Sequence, residues 1–228
     1  MSAIAIFTDL DGTLIDFETY SPELAKPYVH RLVERGALVV FCSSKTFAEQ
    51  LVLQRELGIE MPCIVENGSA IVAPEGFWKE LPEGGKLVDG WVRIELGISS
   101  SEIKHRVGRI ESLIGQSLMG FGSILAEDVA RITGLDFLSA KRAQERDYSE
   151  TLGKALPDEV WDELDLVFMK QGLKCLPGGR FHTVIGGQAD KGAAIRQFVE
   201  VWQSQFGDTL ETVGLGDSEN DRELLANV

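Results

Sequence analysis

Long apolar runs are missing from this sequence. No stretch approaches the roughly 20 residues that a bilayer-spanning helix needs. The first strand-like run begins at Ile4, which leaves no room for a signal peptide. Cysteine is scarce: Cys42, Cys63 and Cys175 form an odd set without metal-ligand spacing, which argues against a disulfide framework or a zinc cluster. Cys42 and Cys63 lie in apolar runs and read as small core residues. A reducing, cytoplasmic setting fits. Histidine is limited to three; His30 and His105 fall on expected helices with no partner motif and read as surface. Positive charge is in deficit, with 22 Lys and Arg against 36 Asp and Glu, a net charge of −14. Nucleic acid and anionic membrane surfaces are therefore poor partners. Internal repeats and low-complexity tracts are absent, and nothing sets an oligomeric state.

What is present is an ordinary globular composition, 44% hydrophobic and 25% charged over 228 residues. It predicts a sizeable core in one large domain or two smaller ones. The first third reads as β-α-β-α-β. A strand over 4–9 leads to a helix introduced by Ser21-Pro22 and Pro27, carrying Tyr28, Leu32 and Val33 and stopped by Gly36. After a strand over 38–42, Ser43 or Ser44 caps a helix with Phe47, Leu51 and Leu57 that ends at Gly58. Pro62 precedes a strand over 63–65, which runs into Glu66-Asn67-Gly68. Such alternation predicts an α/β fold, a doubly wound parallel sheet of Rossmann-like type.

Composition shifts toward Gly, Pro and charge over 74–90. Residues 90–186 then read as an α+β insertion, with strands over 91–96, 173–175 and 181–185 and helices over 99–114, 127–133 and 136–145. The first pattern returns with a helix over 193–205, a strand over 211–215 and a helix over 221–225. The expected boundaries are 1–82 and 187–228 for the core and 83–186 for the insertion. The chain stops at Val228, just after the last helix, which leaves open a shortened C-terminus.

The strongest local signal is Thr8-Asp9-Leu10-Asp11-Gly12-Thr13-Leu14, where an apolar strand ends in two carboxylates and a glycine. Open α/β sheets bind ligands at that edge. One carboxylate can be a nucleophile while the other handles protons. Three further runs follow in order: Phe41-Cys42-Ser43-Ser44-Lys45-Thr46, then Asp190-Lys191-Gly192, then Gly214-Leu215-Gly216-Asp217-Ser218-Glu219-Asn220-Asp221. Together they resemble the four motifs of the haloacid dehalogenase-like superfamily, in the phosphatase form D-x-D-x-T. The insertion after the second motif matches a cap arrangement of that superfamily.

The resemblance implies Asp9 as nucleophile, forming an aspartyl-phosphate, and Asp11 as the acid and then the base. It implies Ser43 and Lys191 on the phosphoryl oxygens. Mg2+ is the implied cofactor, held by Asp9, the Asp11 main-chain carbonyl and Asp217. Asp221 either orients Lys191 or a metal-bound water, or simply caps the last helix.

The insertion also resembles the cap of the mannosyl-3-phosphoglycerate phosphatases. The matching runs are Phe121-Gly122, the stretch from Glu127 to Leu135, Ala140 and Ala143, Glu145 to Glu150, and Gly178-Gly179-Arg180-Phe181-His182. Thr151 departs from that group, whose members usually carry Pro there. The implied reaction is hydrolysis of mannosyl-3-phosphoglycerate to mannosylglycerate, a compatible solute. The alternatives are a generic sugar-phosphate phosphatase, a glucosyl-3-phosphoglycerate phosphatase and a phosphosugar mutase. A substrate carboxylate asks for arginine, with Arg180 first and Arg131 and Arg146 next; the latter two could equally pair with acids inside the cap. His182 could meet substrate hydroxyls or be a satisfied strand residue. Lys45, Asn67, Ser218 and Asn220 complete the candidate contacts.

Overall fold

The computed structural model describes residues 3–178 and 180–228. Gly179, part of the Gly-Gly-Arg run above, lies outside them. The chain forms two units. One holds the residues up to Leu96 together with Asp190–Val228, and the other is Gly97–Ala189.

The first unit is built on strands β1 (Ala3–Thr8), β2 (Leu38–Cys42), β3 (Cys63–Val65), β4 (Ala70–Pro74), β5 (Gly85–Val88), β6 (Trp91–Glu95) and, late in the chain, β10 (Leu210–Leu215). Their order in the sheet is β10-β1-β2-β3-β4-β6-β5. The first four in that order run parallel, whereas β4, β6 and β5 are added antiparallel. Helices α1 (Lys26–Glu34) and α2 (Phe47–Leu57) connect the early parallel strands. Helix α7 (Lys191–Phe206) leads into β10, and α8 (Arg222–Ala226) follows it.

Four expectations need correction. The hairpin of β5 and β6 belongs to the core sheet, so the unit boundary falls at 97 rather than 83, and the return falls at 190 rather than 187. The stretch over 74–90 that suggested a domain crossing holds β5 and ends in Asp89-Gly90, the tight turn of this hairpin, with both residues at positive φ. The sheet is therefore mostly, not wholly, parallel. Helix α2 is capped by Thr46 rather than Ser43 or Ser44, because Thr46 and Glu49 form a reciprocal capping box. His30, expected at the surface, is half-buried with Nε2 on the Leu57 carbonyl at the end of α2.

One face of the sheet is apolar and packs on α7. Ala5, Phe7, Val40, Cys42, Ile64 and Ile71 meet Ala194, Ile195, Phe198 and Val201 in a single cluster. Phe198 sets its ring edge against Phe7 at 5.4 Å between centroids. Burying such a ring contributes roughly 2–3 kcal/mol. It also fixes the N-terminus of α7 beside the carboxyl end of β1.

The second unit carries α3 (Ser100–Ile114), α4 (Ala126–Thr133), α5 (Phe137–Gln144), strand β7 (Ser149–Leu152), α6 (Asp158–Lys170), β8 (Leu173–Gly178) and β9 (Phe181–Gly186). Its antiparallel sheet has the order β7-β9-β8. Ile103, Val107 and Ile110 of α3 and Trp161, Leu164 and Phe168 of α6 cover one face, over Leu152, Leu173 and Val184. A smaller cluster joins Phe121, Val129 and Ala140 to Phe181. Neither β7 nor α6 was expected from the sequence. Among the described residues, no helix is long and apolar enough to cross a membrane.

Candidate active site

Four neighbouring strands, β10, β1, β2 and β3, point their carboxyl ends the same way. The loops that leave β1, β2 and β10 carry three of the sequence motifs, and the fourth, Asp190-Lys191-Gly192, opens helix α7. Ala5 and Phe7 face α7, and side chains alternate along a strand, so Asp9 continues that face. Its amide extends the ladder by donating to the Leu215 carbonyl. The carboxylate thus emerges where α7 begins, and Lys191 is the first residue of that helix.

Lys191 is fully buried and holds two carboxylates at once. Its Nζ lies 2.7 Å from Asp9 Oδ1 and 2.5 Å from Asp221 Oδ1. Burial opposes its charge, but the carboxylates of Asp9 and Asp221 keep the ammonium above the ordinary lysine value. Burial pushes Asp9 up to about 6, against the pull of Lys191. The Cys42 thiol beneath them is raised to about 12 by burial, so it stays neutral.

Asp221 is more than a helix cap. Its Oδ2 accepts from the amides of Asp217 and Ser218 at 3.2 and 3.1 Å and from Ser218 Oγ at 3.0 Å. It makes no side-chain cap bond to α8. One buried carboxylate therefore shapes the loop after β10 and fixes Lys191. Asp217 itself is exposed and receives a 3.4 Å bond from Thr13 Oγ1. Gly12, at φ +80°, sits so close that a Cβ there would lie 2.5 Å from Asp217 Oδ2. Oxygens of Asp9, Asp217 and Asp221 lie within 4.8 Å of one another.

Asp11 is partly exposed, and its Oδ1 meets Lys45 Nζ at 2.9 Å. The Lys45 ammonium also lies 5.3 Å from the centre of the Tyr20 ring. Ser43 is buried; its Oγ accepts from the Lys45 amide at 3.3 Å, which leaves its hydroxyl proton free to be donated. The turn after β3 braces this loop. The Asn67 amide donates to the Ser43 carbonyl and the Glu66 amide to the Lys45 carbonyl. Glu66, Asn67 and Gly68 are all at positive φ, and a Cβ on Gly68 would collide with the Asp190 carbonyl at the start of α7. Asn67 is buried with its Oδ1 unbonded among the described residues. Ser218 and Asn220 pair with each other at 2.6 Å.

The candidates of the second unit are held by their own surroundings. Arg180 donates to the Thr133 carbonyl at 2.6 Å and lies over the Phe181 ring. Arg131 is exposed and paired with Asp128. Arg146 donates to the Ala143 carbonyl and to Ser149 Oγ. His182 stacks on Trp161 with ring centroids 3.8 Å apart, and burial lowers its basicity. With Asp158, Asp162 and Asp165 of α6, these two rings line a cavity of about 750 Å³. Two further residues were not among the site candidates the sequence offered. Tyr20 sits in a polar loop without any pattern to mark it. Glu150 is a buried carboxylate that accepts from the Gly122 amide and lies 3.8 Å from Lys104.

An open α/β sheet whose carboxyl edge gathers Asp9, Asp11, Asp217 and Asp221 around Lys191 defines a carboxylate-centred hydrolase site. A family model described as haloacid dehalogenase-like hydrolase matches residues 6–79. The glucosyl-3-phosphoglycerate/mannosyl-3-phosphoglycerate phosphatase of Persephonella marina is 37% identical over 230 residues, spanning 99% of this chain and 82% of that protein. The mannosyl-3-phosphoglycerate phosphatase of Pyrococcus horikoshii is 38% identical over 216 residues, spanning 95% and 84%. A solved Thermotoga maritima structure shares the fold, with a TM-score of 0.65 at 19% identity over 100% of this chain and 84% of that one. The chain belongs to the haloacid dehalogenase-like hydrolases.

Proposed function

We propose that this protein is a Mg2+-dependent phosphomonoesterase that dephosphorylates mannosyl-3-phosphoglycerate through an aspartyl-phosphate. The observation that carries the reading is Asp9, buried at the end of β1 with one oxygen on Lys191. That contact leaves Oδ2 to attack phosphorus. The bond from phosphorus to the glycerate oxygen breaks as the Asp9–phosphorus bond forms. Asp11 gives its proton to that oxygen, and the same carboxylate then takes a proton from the water that hydrolyses the aspartyl-phosphate. Lys191 and the Ser43 hydroxyl stabilise charge on the phosphoryl oxygens. Asp221 acts as a positioning residue through Lys191.

The donor set suits a hard divalent cation, since carboxylate oxygens converge and the absent Cβ of Gly12 leaves space beside Asp217. Asp221 is committed to Lys191 and two amides, so Asp9, Asp217 and the Asp11 carbonyl are the residues that would hold Mg2+. When bound, the ion neutralises the carboxylates facing a phosphate dianion and polarises the phosphoryl group.

The substrate is inferred from the names of the two relatives and from the cap runs that resemble this group. A second reading, in which glucosyl-3-phosphoglycerate is also a substrate, is favoured by the Persephonella relative, whose name carries both head groups. The test is release of phosphate from both glycosyl-phosphoglycerates and from simple sugar phosphates, with the products identified. A preference of about a hundredfold or more for the glycosyl-phosphoglycerates is expected. Equal turnover of all monoesters would reduce the protein to a generic sugar phosphatase. Rearranged phosphosugar without free phosphate would make it a mutase.

A further inference from the structure

A phosphoglycerate ester differs from most sugar phosphates by its carboxylate, and some cation must distinguish it. Lys191 is buried, held by Asp9 and Asp221, and already assigned to the phosphoryl oxygens. The three candidate arginines of the second unit, Arg180, Arg131 and Arg146, are held by Thr133, Asp128, Ala143 and Ser149. Lys45 is different. Its side chain is 19% exposed, and it is in ion-pair contact with Asp11, the residue placed at the leaving oxygen.

Resting on the proposed substrate, we infer that Lys45 receives the glycerate carboxylate and so sets the selectivity of the core. The chemistry of the ester makes the reach short. The carboxyl carbon is three covalent bonds from the leaving oxygen, so it lies roughly 3–4 Å away. An oxygen near enough to take a proton from Asp11 therefore puts the carboxylate beside a cation that is itself 2.9 Å from Asp11.

Lys45 is also prepared for the task. Its carbonyl accepts from the Glu66 amide and from Gln50 Nε2, which fixes its backbone. Tyr20 covers the ammonium, and the loop bearing Tyr20 is itself closed on Asp16, which accepts from the Glu18 and Thr19 amides and from Thr19 Oγ1. A carboxylate arriving there meets a fixed, partly desolvated cation, where a charge-assisted bond is strong.

The experiment compares kcat/KM for mannosyl-3-phosphoglycerate with that for its carboxylate-free counterpart, in which a hydroxymethyl group replaces the carboxyl. Both are measured with Mg2+ present. Lys45→Met should lower the ratio of the two values at least tenfold. Lys45→Arg should keep most of the wild-type ratio, because a cation remains. Tyr20→Ala should lower it two- to tenfold, by freeing the ammonium to move. Thermal melts of each variant report folding separately. An equal fall for both substrates would overturn the inference and leave Lys45 as a mere partner of Asp11. So would a larger fall in the ratio for Arg180→Ala than for Lys45→Met. If the wild-type enzyme ignores mannosyl-3-phosphoglycerate altogether, the proposed substrate fails instead, and that outcome is visible before any variant is made.

Discussion

At the residue scale, Asp9, the nucleophile proposed above, is also a burden on the fold. An aspartate ordinarily titrates near 3.8, and burial raises Asp9 to about 6. Between those values the folded chain keeps a proton that the unfolded chain has released, so stability falls as pH rises through this window and the cost is complete above it. In metal-free buffer, Asp9→Asn should therefore raise the melting temperature by roughly 2–5 °C at pH 7.5, with the gain fading toward pH 4. The same variant should release phosphate at least ten-thousandfold more slowly, since the covalent route is gone. Near-normal turnover by a folded Asp9→Asn protein would remove Asp9 from its role. Lys191→Met is the converse case. It strands two buried carboxylates, which costs about 3–5 kcal/mol and should lower the melting temperature by roughly 6–15 °C. Adding Asp9→Asn to that variant should recover part of the loss, and independent, additive effects would deny that the two share a pair. Asp9 and Asp11 were legible because a strand ending in carboxylates is locally unusual. Lys191 and Asp221 were legible only through the order of motifs, because a lone lysine or a helix-start aspartate has an ordinary explanation.

At the element scale, the turn after β3 does unseen work. Three consecutive residues at positive φ press the Gly68 backbone against the first turn of α7. Gly68→Ala should cost at least about 2 kcal/mol by urea unfolding, through both φ strain and collision with the Asp190 carbonyl. Gly108 is the contrast: it lies inside α3, with nothing within 4 Å of an added Cβ. Gly108→Ala should stabilise by about 0.5–1 kcal/mol on helix propensity alone. An opposite order of the two midpoints would show that neither packing argument holds. Strand and helix alternation in the first third was legible because parallel strands are continuous apolar runs. The edge hairpin was not, because its Asp89-Gly90 turn carries the same residues as a linker. Helix α6 was missed for another reason: with five acids in Asp158–Lys170, its apolar stripe of Trp161, Leu164 and Phe168 is easy to read as interrupted.

At the scale of the whole molecule, a net charge of −14 sets the chain against its own anionic ligand. A divalent ion should then act as a structural ligand as well as a cofactor. Millimolar Mg2+ should raise the melting temperature by mass action, and Asp217→Asn should abolish that shift while sparing the fold. An unchanged shift in the variant would place the ion elsewhere. The second unit was partly legible, since its helices α3, α4 and α5 were expected, but its side-chain roles were not, because arginine recognition depends on partners distant in sequence. The pairing of β1 with β10 has a temporal consequence. Ala3 lies opposite Leu210, and both Lys191 and Asp221 arrive with the last 39 residues, those from Asp190 onward. As the chain is synthesised, Asp9 emerges 182 residues before its counter-charge on Lys191. The β1 edge of the sheet thus stays unpaired until β10 follows, and it needs protection over that interval.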